Sequence, residues 1–208
     1  MLQGLALVTF PAASTVFTNP RAYALSNAEY GALFVPETVM AVAASLLGDS
    51  MARRLSARSV LTLGLGADLL SMALLIGSRF AIGSRFAALG LLLGATALMG
   101  VGFGIVVPAL SRFATALFAD KVDAAVLALN ALLGLGTAIA PVLVSVFVGL
   151  GFWWGLPVAV GGLLAALVAW ACSFPCQVDG PRGRRAHTAK VAFGSSLRSR
   201  SSMASSKR

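Results

Sequence analysis

The stretch that decides the fold runs from Tyr30 to Leu61, YGALFVPETVMAVAASLLGDSMARRLSARSVL. An apolar run from Gly31 to Gly48 leads into a short hinge holding Arg53, Arg54 and Arg58, and a second apolar run begins at Val60. About 18 apolar residues wound as a helix cross the ~30 Å of hydrocarbon in a bilayer. The pattern is therefore two membrane spans joined by a basic loop. Short Arg-rich loops between spans stay on the cytoplasmic side, so this hinge orients the rest of the chain.

Composition agrees with that reading. The chain is 58% hydrophobic and 11% charged, with a mean hydropathy of +0.89. A soluble domain carries roughly 25% charged residues, so this sequence has too little polar surface to cover a globule in water. The expected class is all-α, a multi-pass transmembrane bundle whose first partner is the lipid bilayer. A net charge of +9 would suggest nucleic acid in a soluble protein. Here the charge falls in loops and at the C-terminus, where it reads as topology, and no nucleic-acid partner is expected.

Working outward from the hinge, six spans are predicted at about residues 2–18, 31–50, 60–78, 86–110, 124–150 and 151–172, forming one domain over 1–174. The first, LQGLALVTFPAASTVFT, lacks the positive flank of a signal peptide and is read as a membrane helix. Asn19 to Glu29 is a polar link. Between the third and fourth spans IGSRFA, beginning at Ile76, is repeated at once from Ile82; this reads as a duplication lengthening a tolerant loop. A further loop is expected to carry Arg112, Asp120, Lys121 and Asp123. Trp153, Trp154 and Trp170 fall near the ends of the sixth span, as in an aromatic belt. From 175 to 208 a Ser/Arg/Gly-rich sequence has almost no apolar content and is expected to be a disordered basic cytoplasmic tail.

With the hinge inside, thirteen Lys and Arg residues lie on the cytoplasmic side and three, Arg21, Arg79 and Arg85, lie outside. That asymmetry predicts an even number of spans with both termini cytoplasmic, in the plasma membrane of the cell.

No catalytic constellation is visible: there is no metal cluster, no nucleophile beside a base and no phosphate-binding loop. Cys172 and Cys176 read as incidental thiols and His187 lies in the tail, so neither metal, cofactor nor enzymatic activity is expected. Two carboxylates lie within the spans. Glu37 shares a small face with Ala41, Ala44 and Gly48, and Asp68 lies near the middle of the third span with Gly64 and Ser71. A charge at the bilayer centre costs at least ~2.5 kcal/mol, so such residues face a cavity or a partner. Glu37 and Asp68 are read either as proton-coupling or substrate-binding acids, or as protonated carboxyls bonded within the bundle.

Two helix faces complete the reading. On the fourth span Gly90, Gly94, Gly100, Gly104 and Pro108 share a stripe containing two GxxxG pairs, a surface that lets another backbone approach closely. On the fifth, Asn130, Gly134, Thr137, Ala138, Pro141 and Ser145 share a face suited to packing, bending or lining a polar cavity.

Six spans with a basic loop after the second resemble the N-terminal half of a major facilitator superfamily (MFS) transporter. The family's loop pattern is close to G-x-L-A-D-R-x-G-R-K, and Asp49 to Arg58 reads D-S-M-A-R-R-L-S-A-R. Arg54 and Arg58 keep basic positions and Ser56 stands where a glycine belongs, while Asp49 replaces the first glycine and Arg53 the acidic residue. Gly136 to Pro141 resembles the family's G-x-x-x-G-P, with alanine in place of the second glycine. The resemblance implies transport of a small solute by alternating access, often proton-coupled. Members have two such halves with the substrate site between them. This chain is thus expected to be a truncated or half-length form completed by a second half or a homodimer. The alternative is a non-transport membrane scaffold that binds a partner through its glycine faces.

Overall fold

The computed structural model describes residues 1–20 and 22–173, and within these every regular element is helical. The helices are α1 (Leu2–Ala12), α2 (Ser14–Phe17), α3 (Asn27–Ala32), α4 (Phe34–Arg54), α5 (Ala57–Ser78), α6 (Arg85–Leu117), α7 (Val122–Gly149) and α8 (Gly155–Ser173). Five are long and apolar enough to cross a membrane, and the segment Leu2–Phe17 is a shorter apolar helix. The tail expected from residue 175, with Cys176 and His187, lies outside the described residues.

Several boundaries depart from expectation, each for a local reason. The first span is not one helix: it breaks at Ala13 (φ −87°, ψ 16°), where the chain turns into α2, while Pro11 is accommodated in the last turn of α1. The polar link is shorter than expected because Ser26 and Glu29 form a capping box. The Glu29 N–H donates to Ser26 Oγ at 3.2 Å and the Ser26 N–H donates to Glu29 Oε2 at 2.9 Å, which starts α3 at Asn27. Pro36 has no N–H for the Ala32 carbonyl, and α3 gives way to α4 there.

Ser56 accepts from the Ser59 N–H at 3.1 Å and so starts α5 at Ala57, three residues before the apolar run. Arg58 therefore sits on a helix. So does Arg112, which was expected in a loop: α6 continues through SRFATAL to Leu117. A charge ends a hydrophobic run, but it does not end a helix. The turn between α7 and α8 places Gly151 at φ 81°, where a side chain would be strained. Phe152 N–H donates to the Phe147 carbonyl at 3.1 Å across it, and α8 begins at Gly155 rather than Gly151.

The duplicated hexapeptide is not a loose loop. Its first copy closes α5 and enters a 3-10 turn, Arg79–Ala81; its second copy caps and opens α6. Arg79 lies 4.8 Å over the Trp154 ring and Arg85 pairs with Glu29 at 2.6 Å, while Phe80 and Phe86 face outward. At the same end Tyr23 and Ser78 share a 2.8 Å hydrogen bond, and Phe17, Tyr23 and Trp153 stack edge to face. Segments distant in sequence are thereby tied together at this end of the helices.

In the bundle α6 is central, with its most extensive contacts to α5 on one side and α4 on the other; α1 pairs with α7, and α8 covers α5. The main core joins Phe10, Phe17, Met72, Leu75, Leu92, Met99 and Leu164 from α1, α2, α5, α6 and α8. Burial of this kind does not drive helices together in lipid as it does in water, so close backbone contact carries more of the association.

Candidate functional site

Two glycine contacts set the geometry around the intramembrane acids. A Cβ on Gly100 would collide with the Glu37 carbonyl and the Ala41 nitrogen of α4, and one on Gly104 with the Ala41 carbonyl and the Ala44 side chain. One turn of α6 is thus pressed directly on the α4 backbone. Gly102 lies between these two in sequence but about 200° round the helix from each. Its missing Cβ leaves room for the carboxyl of Asp68, which a methyl group would strike. On the same side Gly64 of α5 receives Ile105 and Val106.

Asp68 is wholly buried, and neither carboxylate oxygen has a hydrogen-bond partner. The neighbouring hydroxyls are committed elsewhere. Ser71 donates to the Ala95 carbonyl at 2.7 Å, tying α5 to α6, and Thr96 donates to the Leu93 carbonyl at 3.0 Å. The polar side chain that does reach Asp68 is Gln3 of α1, 6% exposed. The approach is close without being aligned, since neither end of the Gln3 amide completes a hydrogen bond. Among the described residues no cation pairs with Asp68.

Glu37 is placed differently. Its residue is half-buried in the first turn of α4, with Oε2 buried and unpartnered. Tyr30 of α3, seven residues earlier and within electrostatic reach of it, donates its hydroxyl toward the Phe10 and Pro11 carbonyls at 3.2 and 3.3 Å. The two acids therefore lie on different faces of α6, Glu37 beside its α4 contact and Asp68 beside its α5 contact.

The remaining predicted residues scatter. Asp49 and Arg53 lie on the last turns of α4, Arg54 ends it, and Ser56 and Arg58 open α5, so the loop motif gathers at one helix junction. Gly90 meets nothing and Gly94 only the tip of Leu74. Pro108 lies inside α6 and Pro141 inside α7. On α7, Asn130, Gly134, Ala138, Pro141 and Ser145 are exposed. Asn130 donates to the Val126 carbonyl at 3.0 Å and Thr137 to the Gly134 carbonyl at 2.7 Å, so these polar groups are satisfied by their own helix. Gly136 alone of the predicted α7 glycines is buried, against the Met1 carbonyl and Leu5 nitrogen.

Sequence reasoning placed Gly64 on the face of Asp68 but missed Gln3, Gly4 and Gly102. Gly4 presses on the Leu133 carbonyl and Thr137 nitrogen, the counterpart of Gly136 in the α1–α7 contact. The available signals were a lone Gln in an apolar run and a glycine off the GxxxG stripe, in the run Gly-Val-Gly-Phe-Gly from Gly100. Among the described residues no group of three or more His, Cys, Asp or Glu comes together as a metal site.

The Major Facilitator Superfamily model matches residues 1–207, across the N-terminal half of a full-length domain. The chain belongs to the Major Facilitator Superfamily. Neither the curated proteins nor the solved structures contain a match to it. Membership makes it a multi-pass membrane protein of a family of transporters rather than enzymes, and the central, tightly packed α6 is the part of this MFS half that brings both acids into register.

Proposed function

We propose that this chain is half of a small-solute transporter coupled to protons, with Asp68 as the proton-carrying acid. The observation that carries the proposal is the burial of Asp68 in mid-span with both oxygens unpartnered. Keeping an unpaired charge there is costly, so the group is suited to exchange a proton as the bundle changes its contacts. Glu37, half-buried at the other side of α6, is the second acid along such a route and the candidate for solute contact. The substrate site is completed by a second half or by a second copy of this chain, and the protein sits in the plasma membrane with both termini in the cytoplasm.

The test is reconstitution of the full chain in lipid vesicles that enclose a pH-sensitive dye, challenged with mixtures of sugars, amino acids and organic cations. A solute that moves protons with the wild type should move none with Asp68→Asn. Unchanged solute flux and unchanged pH dependence in that variant would remove Asp68 from coupling. The scaffold reading is favoured by one observation, the outward face of Gly134, Ala138 and Pro141 on α7. Gly134→Leu separates the two: a chain that moves no solute and loses self-association in this variant would support a scaffold, whereas solute flux in the wild type that is lost together with self-association would support a site completed by a second copy.

A further inference from the structure

Gln3 is the polar side chain that reaches Asp68, and it comes from a different part of the chain. It lies at the start of α1, whose partners are α7 and α8, whereas Asp68 is in the middle of α5. All four polar atoms of the two side chains are buried without a hydrogen-bond partner. A buried polar group left so is destabilising, and the Gln3 amide is the group placed to join the Asp68 carboxyl. Glutamine has a property here that Lys and Arg, which only donate, lack. Its NH₂ donates to a carboxylate, and turning the amide over lets its C=O accept from a carboxylic acid.

We infer that Gln3 is a positioning residue for Asp68, holding it in one place in both protonation states by turning its amide, and so linking α1 to the charge on α5. The inference rests on the proton-carrying reading of Asp68 given above. Gly102 makes room for the arrangement: with no Cβ, α6 accommodates the Asp68 carboxyl, which a methyl group there would strike. Among the described residues no ion pair competes for Asp68. From α6 come Gly102 and Thr96, with Arg85 and Arg112 near the helix ends. From α8 the only titratable residue is Cys172, in its last turn. Glu37 stands across α6 on α4, and α1 contributes only the Met1 amino group, two residues from Gln3.

Infrared difference spectroscopy of the full chain in lipid, titrated with pH, reads this without knowing the solute. A carboxyl C=O band present in the wild type and absent in Asp68→Asn belongs to Asp68. Gln3→Leu and Gln3→Met, both apolar and of similar length, should shift that band to higher wavenumber and move its midpoint, because the carboxylic acid loses its hydrogen bond to the Gln3 amide. If the band titrates identically in wild type and both variants, Gln3 has no positioning role, while the proton reading of Asp68 stands. If no band disappears in Asp68→Asn, Asp68 does not titrate, and the proton reading falls together with this inference. The Met1 amine does not absorb in the carboxyl C=O region, so its titration leaves the reading clear.

Discussion

The two GxxxG pairs of α6 have the same spacing and composition, and they behave oppositely. Gly100 and Gly104 are pressed on the α4 backbone, whereas Gly90 meets nothing and Gly94 only a leucine tip. The α7 stripe repeats the lesson, with Gly136 buried on α1 and Gly134 open. A small residue licenses close approach, but whether a neighbour takes the opening depends on where the next helix crosses. The glycines that matter are those at crossing points, and Gly102 shows that a crossing point can lie off the stripe.

The largest effect that would break this comparison is expected at Gly100. Gly100→Leu places a side chain in the α4 backbone, which cannot move aside as a flexible side chain can. It should cost about 3 kcal/mol or more and appear as loss of the monodisperse peak in detergent and a fall in melting temperature. Retention of both would mean that α4 and α6 do not touch there. Next is Gly102→Ala, expected to cost about 1–3 kcal/mol through contact with the Asp68 carboxyl. A double-mutant cycle with Asp68→Ala checks the cause: removal of the carboxyl should recover most of the loss, with a coupling of about 0.5–3 kcal/mol. Additive losses would place the strain elsewhere. Smallest is Gly90→Ala, which should be neutral or stabilising by up to about 1 kcal/mol, since it meets no neighbour and improves helix propensity. A destabilisation as large as that of Gly102→Ala would show that the upper pair is also packed.

Most of the architecture was legible because it follows from hydropathy. The run from Val60, the Trp-flanked last span and the Arg hinge all read through to helices in about the places expected. What escaped was set by single backbone groups. The first span broke at the backbone of Ala13, the Ser26–Glu29 box shortened the link, and Ser56 drew α5 back over Arg58. Arg112 was misplaced because charge was taken to mark the end of a helix. At the candidate site Asp68 and Glu37 stood out as charges in apolar runs, a cost visible in one dimension. Helical periodicity set Gly64 and Ser71 on the face of Asp68, but Gln3 and Gly102 come to it only when α1, α5 and α6 converge. The duplicated hexapeptide looked like tolerated slack, yet each of its arginines has a distinct partner on another segment.

The length of α6 has a consequence for the membrane itself. Its 33 residues rise about 50 Å, some 20 Å more than the hydrocarbon they cross. The excess must be met by tilt, by a thickened bilayer or by turns standing in the headgroups, and Arg112 lies on those last turns. Because α4 and α5 are both locked to α6 through glycine contacts, any change of its tilt carries them with it. Acyl-chain length is therefore a physical variable of this protein, able to alter the α4–α6 and α5–α6 crossings without a change of sequence.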